Sequence, residues 1–205
     1  MTLLLLAAAC TGGETLARGT NLAPFFPTDG DRRAEFINAA SDEVPWTLIV
    51  EKLEPTETID GVEHVTFEWS RDDTGELLGA VKWSSSSADG IAIHAWSGPD
   101  GAFVVFNPPV QVADDEMKSG DTVPTQTGGA SFTSTFVGFE DCPVAWGDDW
   151  TGCAHLSIDD GDGDPMAGPP FAGDYWLVQR YGIAWMHTTG YAEKWDLAHH
   201  SWGEE

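Results

Sequence analysis

DYWLVQRYGIAWMHTTGYAEKWDL, residues 174–197, reads as two long strands joined by a tight turn at Thr188-Thr189-Gly190. Tyr175, Trp176, Leu177 and Val178 put apolar groups on both faces of the first strand, the pattern of a sheet-interior strand. Gly182 interrupts it, and an isolated glycine in a strand marks a bulge or a close backbone approach more often than a break. The second strand alternates, with Tyr191, Trp195 and Leu197 on one face and Ala192, Lys194 and Asp196 on the other. The hairpin predicts an antiparallel sheet as the frame of the chain.

Similar runs recur upstream. Trp46–Leu53, Val62–Trp69, Leu77–Trp83, Ile91–Trp96 and Ala102–Phe106 are short, rich in β-formers and divided by turn residues at 72–75, 84–90 and 97–101. Such spacing predicts a meander of antiparallel pairs. Ser131–Phe139 and Ala154–Ile158 add two strands, and the polar, proline-bearing 107–129 stretch predicts a crossover between parts of one sheet. Residues 28–41 carry two signals. Thr28 and Asp31 resemble a helix capping box, whereas Ala34, Phe36 and Asn38 alternate as a strand; the β surroundings favour the strand. With 23 Gly, 12 Pro, 10 Trp and 10 Phe in 205 residues, composition also favours strands and turns over long helices. The expected fold is all-β: a single domain, residues 25–205, of curved antiparallel sheet (half-barrel or open barrel) with little helix.

Nine Lys and Arg stand against 34 Asp and Glu, a net charge of −25. Phosphate backbones and anionic lipid headgroups would be repelled, so nucleic acid is excluded as a partner and charge-driven membrane docking is disfavoured. The start, MTLLLLAAAC, is an apolar run ending in small residues before Cys10, too short to span a bilayer. Leu6-Ala7-Ala8-Ala9-Cys10 resembles the lipobox of bacterial lipoproteins, which implies a signal segment at residues 1–10, lipidation at Cys10 and membrane attachment in the bacterial cell envelope, at the outer membrane or in the periplasm. An ordinary secretory signal with an incidental cysteine is the alternative. Residues 11–24, TGGETLARGTNLAP, lack periodicity and read as a flexible tether. Cys142 and Cys153 remain as an even pair, which suits a disulfide in an oxidising compartment; a metal site is the alternative, although no CxxC spacing supports it.

Candidate chemistry is sparse. Asp160, Asp162 and Asp164 have the alternate spacing of a calcium loop, but an EF-hand then needs Gly at position six and Glu at position twelve, where Pro165 and Phe171 stand. A solvated acidic loop is the plainer reading, no cofactor is called for, and calcium is the alternative. A turn about Thr189 would set His187 and His199 about 24 Å apart along the strand, too far to share an ion. Ser84–Ser87 is a serine run in a turn, with no nucleophile elbow around it. Adjacent acids at 140–141 and 148–149 do not define a cleft-spanning pair. The chain therefore reads as a binder and not an enzyme.

Phe25-Phe26-Pro27 with Gly30-Asp31, Met117-Lys118-Ser119-Gly120-Asp121, and the ending Tyr175-Trp176…Tyr181-Gly182-Ile183-Ala184-Trp185…Trp195-Asp196-Leu197 follow an order that resembles a broad group of bacterial envelope lipoproteins. Some of these are similar to the half-barrel lipoprotein carriers LolA and LolB. The resemblance implies an apolar concavity that holds acyl chains. The expected ligand is then a lipid or other apolar molecule, with Trp69, Trp83, Trp96, Trp176 and Trp185 as contacts because strand-borne aromatics supply such a surface. The competing expectation is a surface carbohydrate-binding or adhesion module, a glycan stacking on Trp146 and Trp150 beside the acidic loop.

Overall fold

The structure, a computed structural model, describes residues 19–38, 46–59, 62–143, 152–161, 171–188 and 194–202. Twelve strands run through them: β1 (Arg32–Asn38), β2 (Leu48–Ile59), β3 (Val62–Arg71), β4 (Leu77–Ser86), β5 (Gly90–Ser97), β6 (Phe103–Ala113), β7 (Thr122–Thr127), β8 (Ala130–Glu140), β9 (Cys153–Asp159), β10 (Gly173–Val178), β11 (Gly182–Thr188) and β12 (Lys194–Trp202). The one helical element among the described residues is a 3-10 turn at Ala23–Phe25, and no helix among them is long and apolar enough to cross a membrane. The all-β expectation holds, and within residues 28–41 the stretch Arg32–Asn38 forms strand β1.

All pairings are antiparallel, in the order β6-β5-β4-β3-β2-β1-β12-β11-β10-β9-β8-β7. This is a meander whose first and last strands pair with each other, Arg32 opposite Trp202 and Asn38 opposite Trp195. The sheet curls until its two edges, β6 and β7, lie side by side without a backbone ladder between them. Prolines explain the open seam. Pro108 and Pro109 in β6 and Pro124 in β7 have no N–H to donate, so these strands suit edges. Threonine hydroxyls bridge the seam instead: the Asn107 amide donates to Thr127 Oγ1 at 2.8 Å and the Gln111 amide to Thr125 Oγ1 at 3.1 Å. The crossover expected at 107–129 is therefore corrected. Proline weakened the strand signal there, yet β6 continues to Ala113 and β7 forms its own strand.

The interior comes from strand parity. Val65, Phe67 and Trp69 of β3, Val81 and Trp83 of β4, Leu156 and Ile158 of β9, and Tyr175 and Leu177 of β10 share one continuous core. Phe106 of β6 meets Phe132 of β8 across it, with ring centroids 5.6 Å apart. Gly90 lets β5 begin close to β6: it sits at φ 77°, and a Cβ there would fall 1.9 Å from the Ala113 carbonyl oxygen. The concave side is largely filled; a void of about 10 Å³ between Trp83, Val112, Leu156 and Tyr175 has room for about one water.

Two local expectations change. Residues 174–188 are not one long strand: they form the hairpin β10–β11, with a turn in which the Tyr181 amide donates to the Val178 carbonyl at 3.0 Å. Arg180 and Gly182 both take positive φ there, 71° and 89°, so Gly182 closes a turn and does not mark a bulge. The second turn, at 189–190, lies outside the described residues. The expected tether of residues 11–24 is also ordered at its far end. Thr20 bridges to Met117, and Leu22 is fully buried. The Asn21 side-chain amide donates to the Ser87 carbonyl and Ser85 Oγ to the Ala23 carbonyl. Residues 19–27 thus plug one end of the curled sheet.

Candidate functional site

The five tryptophans assigned to a ligand surface separate by pleat parity. Trp69 and Trp83 point inward and are 2% and 3% exposed. Trp96 is half-buried and packs against the same core. Trp176 and Trp185 form a cross-strand pair on the opposite face, away from the concavity. His155 stacks on Trp176 at 3.9 Å, and the Trp185 ring stands at 88° to that of Trp176. The two indoles are neither coplanar nor both open, so this pair does not form a flat stacking platform. Trp146 and Trp150 lie outside the described residues.

Trp69 and Trp83 do reach a cavity. Phe26, Phe36, Val50, Phe67 and Ile183 complete its apolar wall, and Arg32, Arg33 and Tyr181 stand at its lip. Phe26 is the central residue: its ring lies 4.5 Å from that of Trp83 and 5.9 Å from that of Phe67. The plug places it there, since the Phe26 amide closes the 3-10 turn on the Ala23 carbonyl at 3.0 Å. The space is about 40 Å³, enough for about three water-sized groups, because inward aromatics occupy much of the volume.

Beside this cavity lies a wider polar cleft of about 460 Å³, and the two share Phe26, Pro27 and Arg32. The cleft is built where three distant turns meet: residues 24–29, Ser85–Ser87, and Arg180. Arg32 is held rigidly, with Nη2 on Asp29 Oδ1 at 2.6 Å and Nε on the Asp29 carbonyl at 2.7 Å. That bond holds the Asp29 carboxyl below the usual carboxylate range. The Arg180 amide donates to the Pro24 carbonyl at 2.8 Å. Its left-handed backbone costs about 1–2 kcal/mol that a glycine would avoid.

Two polar clusters sit on the outer face. His155 lies between two carboxylates, Nδ1 3.0 Å from Glu140 and Nε2 3.1 Å from Asp174. The bond from His155 lowers the Asp174 carboxyl below its usual range, against an opposing effect of burial. On the other half, Ser84 Oγ lies 2.7 Å from His94 Nε2, and His94 stacks on His64 at 3.9 Å. Burial, then the neighbouring His64, pushes His94 down to about 4. His94 is the extra residue where the β4–β5 register shifts. Neither cluster lines the cavity or the cleft.

The disulfide is present: Cys142 and Cys153 are bonded. Of the acidic triplet, Asp160 is buried at the end of β9, while Asp162 and Asp164 lie outside the described residues, as does Cys10. Among the described residues no group of three His, Cys, Asp or Glu is placed to hold a metal. Comparison with protein-family models, with curated proteins and with solved structures returns no match. Phe26, Arg32, Arg180 and Ser87 carry the site, and periodicity alone could not have assembled them. The one available signal was the rarity of cations in so acidic a chain.

Proposed function

We propose that this protein is a non-enzymatic binding protein of the bacterial cell envelope that holds a small amphiphile, its apolar end against Phe26, Trp69 and Trp83 and its polar end in the adjoining cleft. The observation that carries this reading is the adjacency of a small apolar cavity and an open polar cleft, which share Phe26, Pro27 and Arg32 in their walls. An apolar recess with a few convergent polar groups is the usual form of a small-molecule site. The Cys142–Cys153 disulfide favours an oxidising compartment, and Leu6–Cys10 supports a lipid anchor there. In this reading the likeness to the LolA and LolB carriers concerns the use of a sheet's concave side, on a smaller ligand.

The test is a titration of the full chain with 1-propanol through 1-octanol, followed by tryptophan fluorescence. Each carbon that enters the cavity should tighten binding about fourfold, from about 0.8 kcal/mol per buried CH₂, until the cavity is full. The absence of saturable binding by every member of the series would refute the reading.

A further inference from the structure

We propose that the cleft recognises an anionic head, a carboxylate or phosphate, through Arg180. This deepens the amphiphile reading and rests on it. Seven of the chain's cations have described side chains. Five are in ion pairs: Arg32 with Asp29, Arg33 with Glu35, Lys52 with Glu54, Arg71 with Asp73, and Lys82 with Glu57. Lys118 and Arg180 have none among the described residues, and Arg180 lines the cleft. In a chain with 34 acidic residues, a guanidinium left without a carboxylate beside a cavity is a ready anion partner.

The backbone fixes where that guanidinium starts. Arg180 is held in the left-handed region at φ 71°, with its amide on the Pro24 carbonyl and its own carbonyl 3.4 Å from Arg32 Nη1. Asp29, the carboxylate that lines the cleft, is already engaged by Arg32. Opposite stand Ser85 and Ser86, whose hydroxyls donate within the fold, and Ser87, which is exposed. An incoming carboxylate or phosphate would meet a planar fork of guanidinium donors, with the Ser87 and Thr28 hydroxyls as further donors. The chain's net charge of −25 opposes any anion at long range, but salt screens that field beyond about 8 Å, whereas contact with Arg180 persists.

The experiment compares hexanoate, 1-hexanol and acetate on the full chain by calorimetry, in the wild type, Arg180→Gln and Lys118→Gln. Hexanoate should bind about tenfold tighter than 1-hexanol, the scale of one charge-assisted hydrogen bond. In Arg180→Gln the two should come within about twofold, with the circular dichroism spectrum retained. Lys118→Gln, which removes the same charge outside the cleft, should keep the tenfold preference. Hexanoate no tighter than 1-hexanol in the wild type, or a preference that survives Arg180→Gln, would overturn the anion site while leaving the amphiphile reading intact. Acetate as tight as hexanoate would support the anion site and remove the apolar half of that reading. Failure of all three ligands would overturn both.

Discussion

Replacing Phe26 with alanine should reveal how the plug, the core and the cavity depend on one ring. Phe26 is 6% exposed, so nearly its whole side chain is lost from a buried position. Phenylalanine truncations in cores cost about 3–5 kcal/mol. The cavity and the cleft already flank the ring, so water can enter the space it vacates, and the low end, about 3 kcal/mol, applies. For a chain of this size that is a fall in Tm of about 6–12 °C. Urea unfolding followed by tryptophan fluorescence is the assay, with an unchanged slope against denaturant as the check that the unfolded state is unaltered. Phe25→Ala is the internal comparison: Phe25 is only half-buried, beside the exposed Phe139 at 5.6 Å, and should cost about 1 kcal/mol. A Phe26→Ala loss under about 1 kcal/mol, or one no larger than that of Phe25→Ala, would refute the claim that this ring closes the core.

Three further outcomes follow from the same structure. Cys142→Ser with Cys153→Ser opens a loop with a sequence separation of 11 and should cost about 2–4 kcal/mol, read as a lower urea midpoint; an unchanged midpoint would contradict a structural role. Thr127→Val removes the acceptor of the Asn107 amide at the β6–β7 seam and should cost about 1–3 kcal/mol. Hydrogen exchange at Asn107 should accelerate with it, and unchanged exchange would place the seam's support elsewhere. His94 has a folded pKa lowered to about 4 from 6.5, so the unfolded chain binds its proton first. Its contribution is complete above about pH 6.5 and is lost as pH falls from there towards 4. His94→Gln should flatten that part of the stability profile, and an identical slope in the variant would exclude His94 as its source.

Strand positions were legible wherever one face is wet and the other dry. In β3, Val65, Phe67 and Trp69 alternate with Thr66 and Glu68, and the structure places the first set in the core. The edges were harder to read. Pro108, Pro109 and Pro124 lower strand propensity, yet a strand that lacks an outer neighbour loses nothing by lacking an N–H, and the sheet order that makes β6 and β7 edges is not a local property. Gly182 misled for a related reason, since a glycine at positive φ serves a bulge and a turn alike. Trp176 could not be assigned to a face because Tyr175, Leu177 and Val178 are apolar too; the pleat that sends Tyr175 and Leu177 inward sends Trp176 out. The site was the least legible part. Phe26, Ser87 and Arg180 belong to three turns far apart in sequence, and the curling of the sheet brings them together.

The central claim is that a ligand's apolar end sits against Trp69 and Trp83 while its head stays by Arg180. The most direct measurement is a hexanoate titration of the full ¹⁵N-labelled chain, following the indole and backbone amide signals by NMR. The account predicts saturable shifts with one common Kd at the Trp69 and Trp83 indoles and at the Arg180 and Phe26 amides, with the Trp176 indole on the outer face unmoved. Shifts that never saturate, or that centre on Trp176 and leave Trp83 untouched, would contradict it.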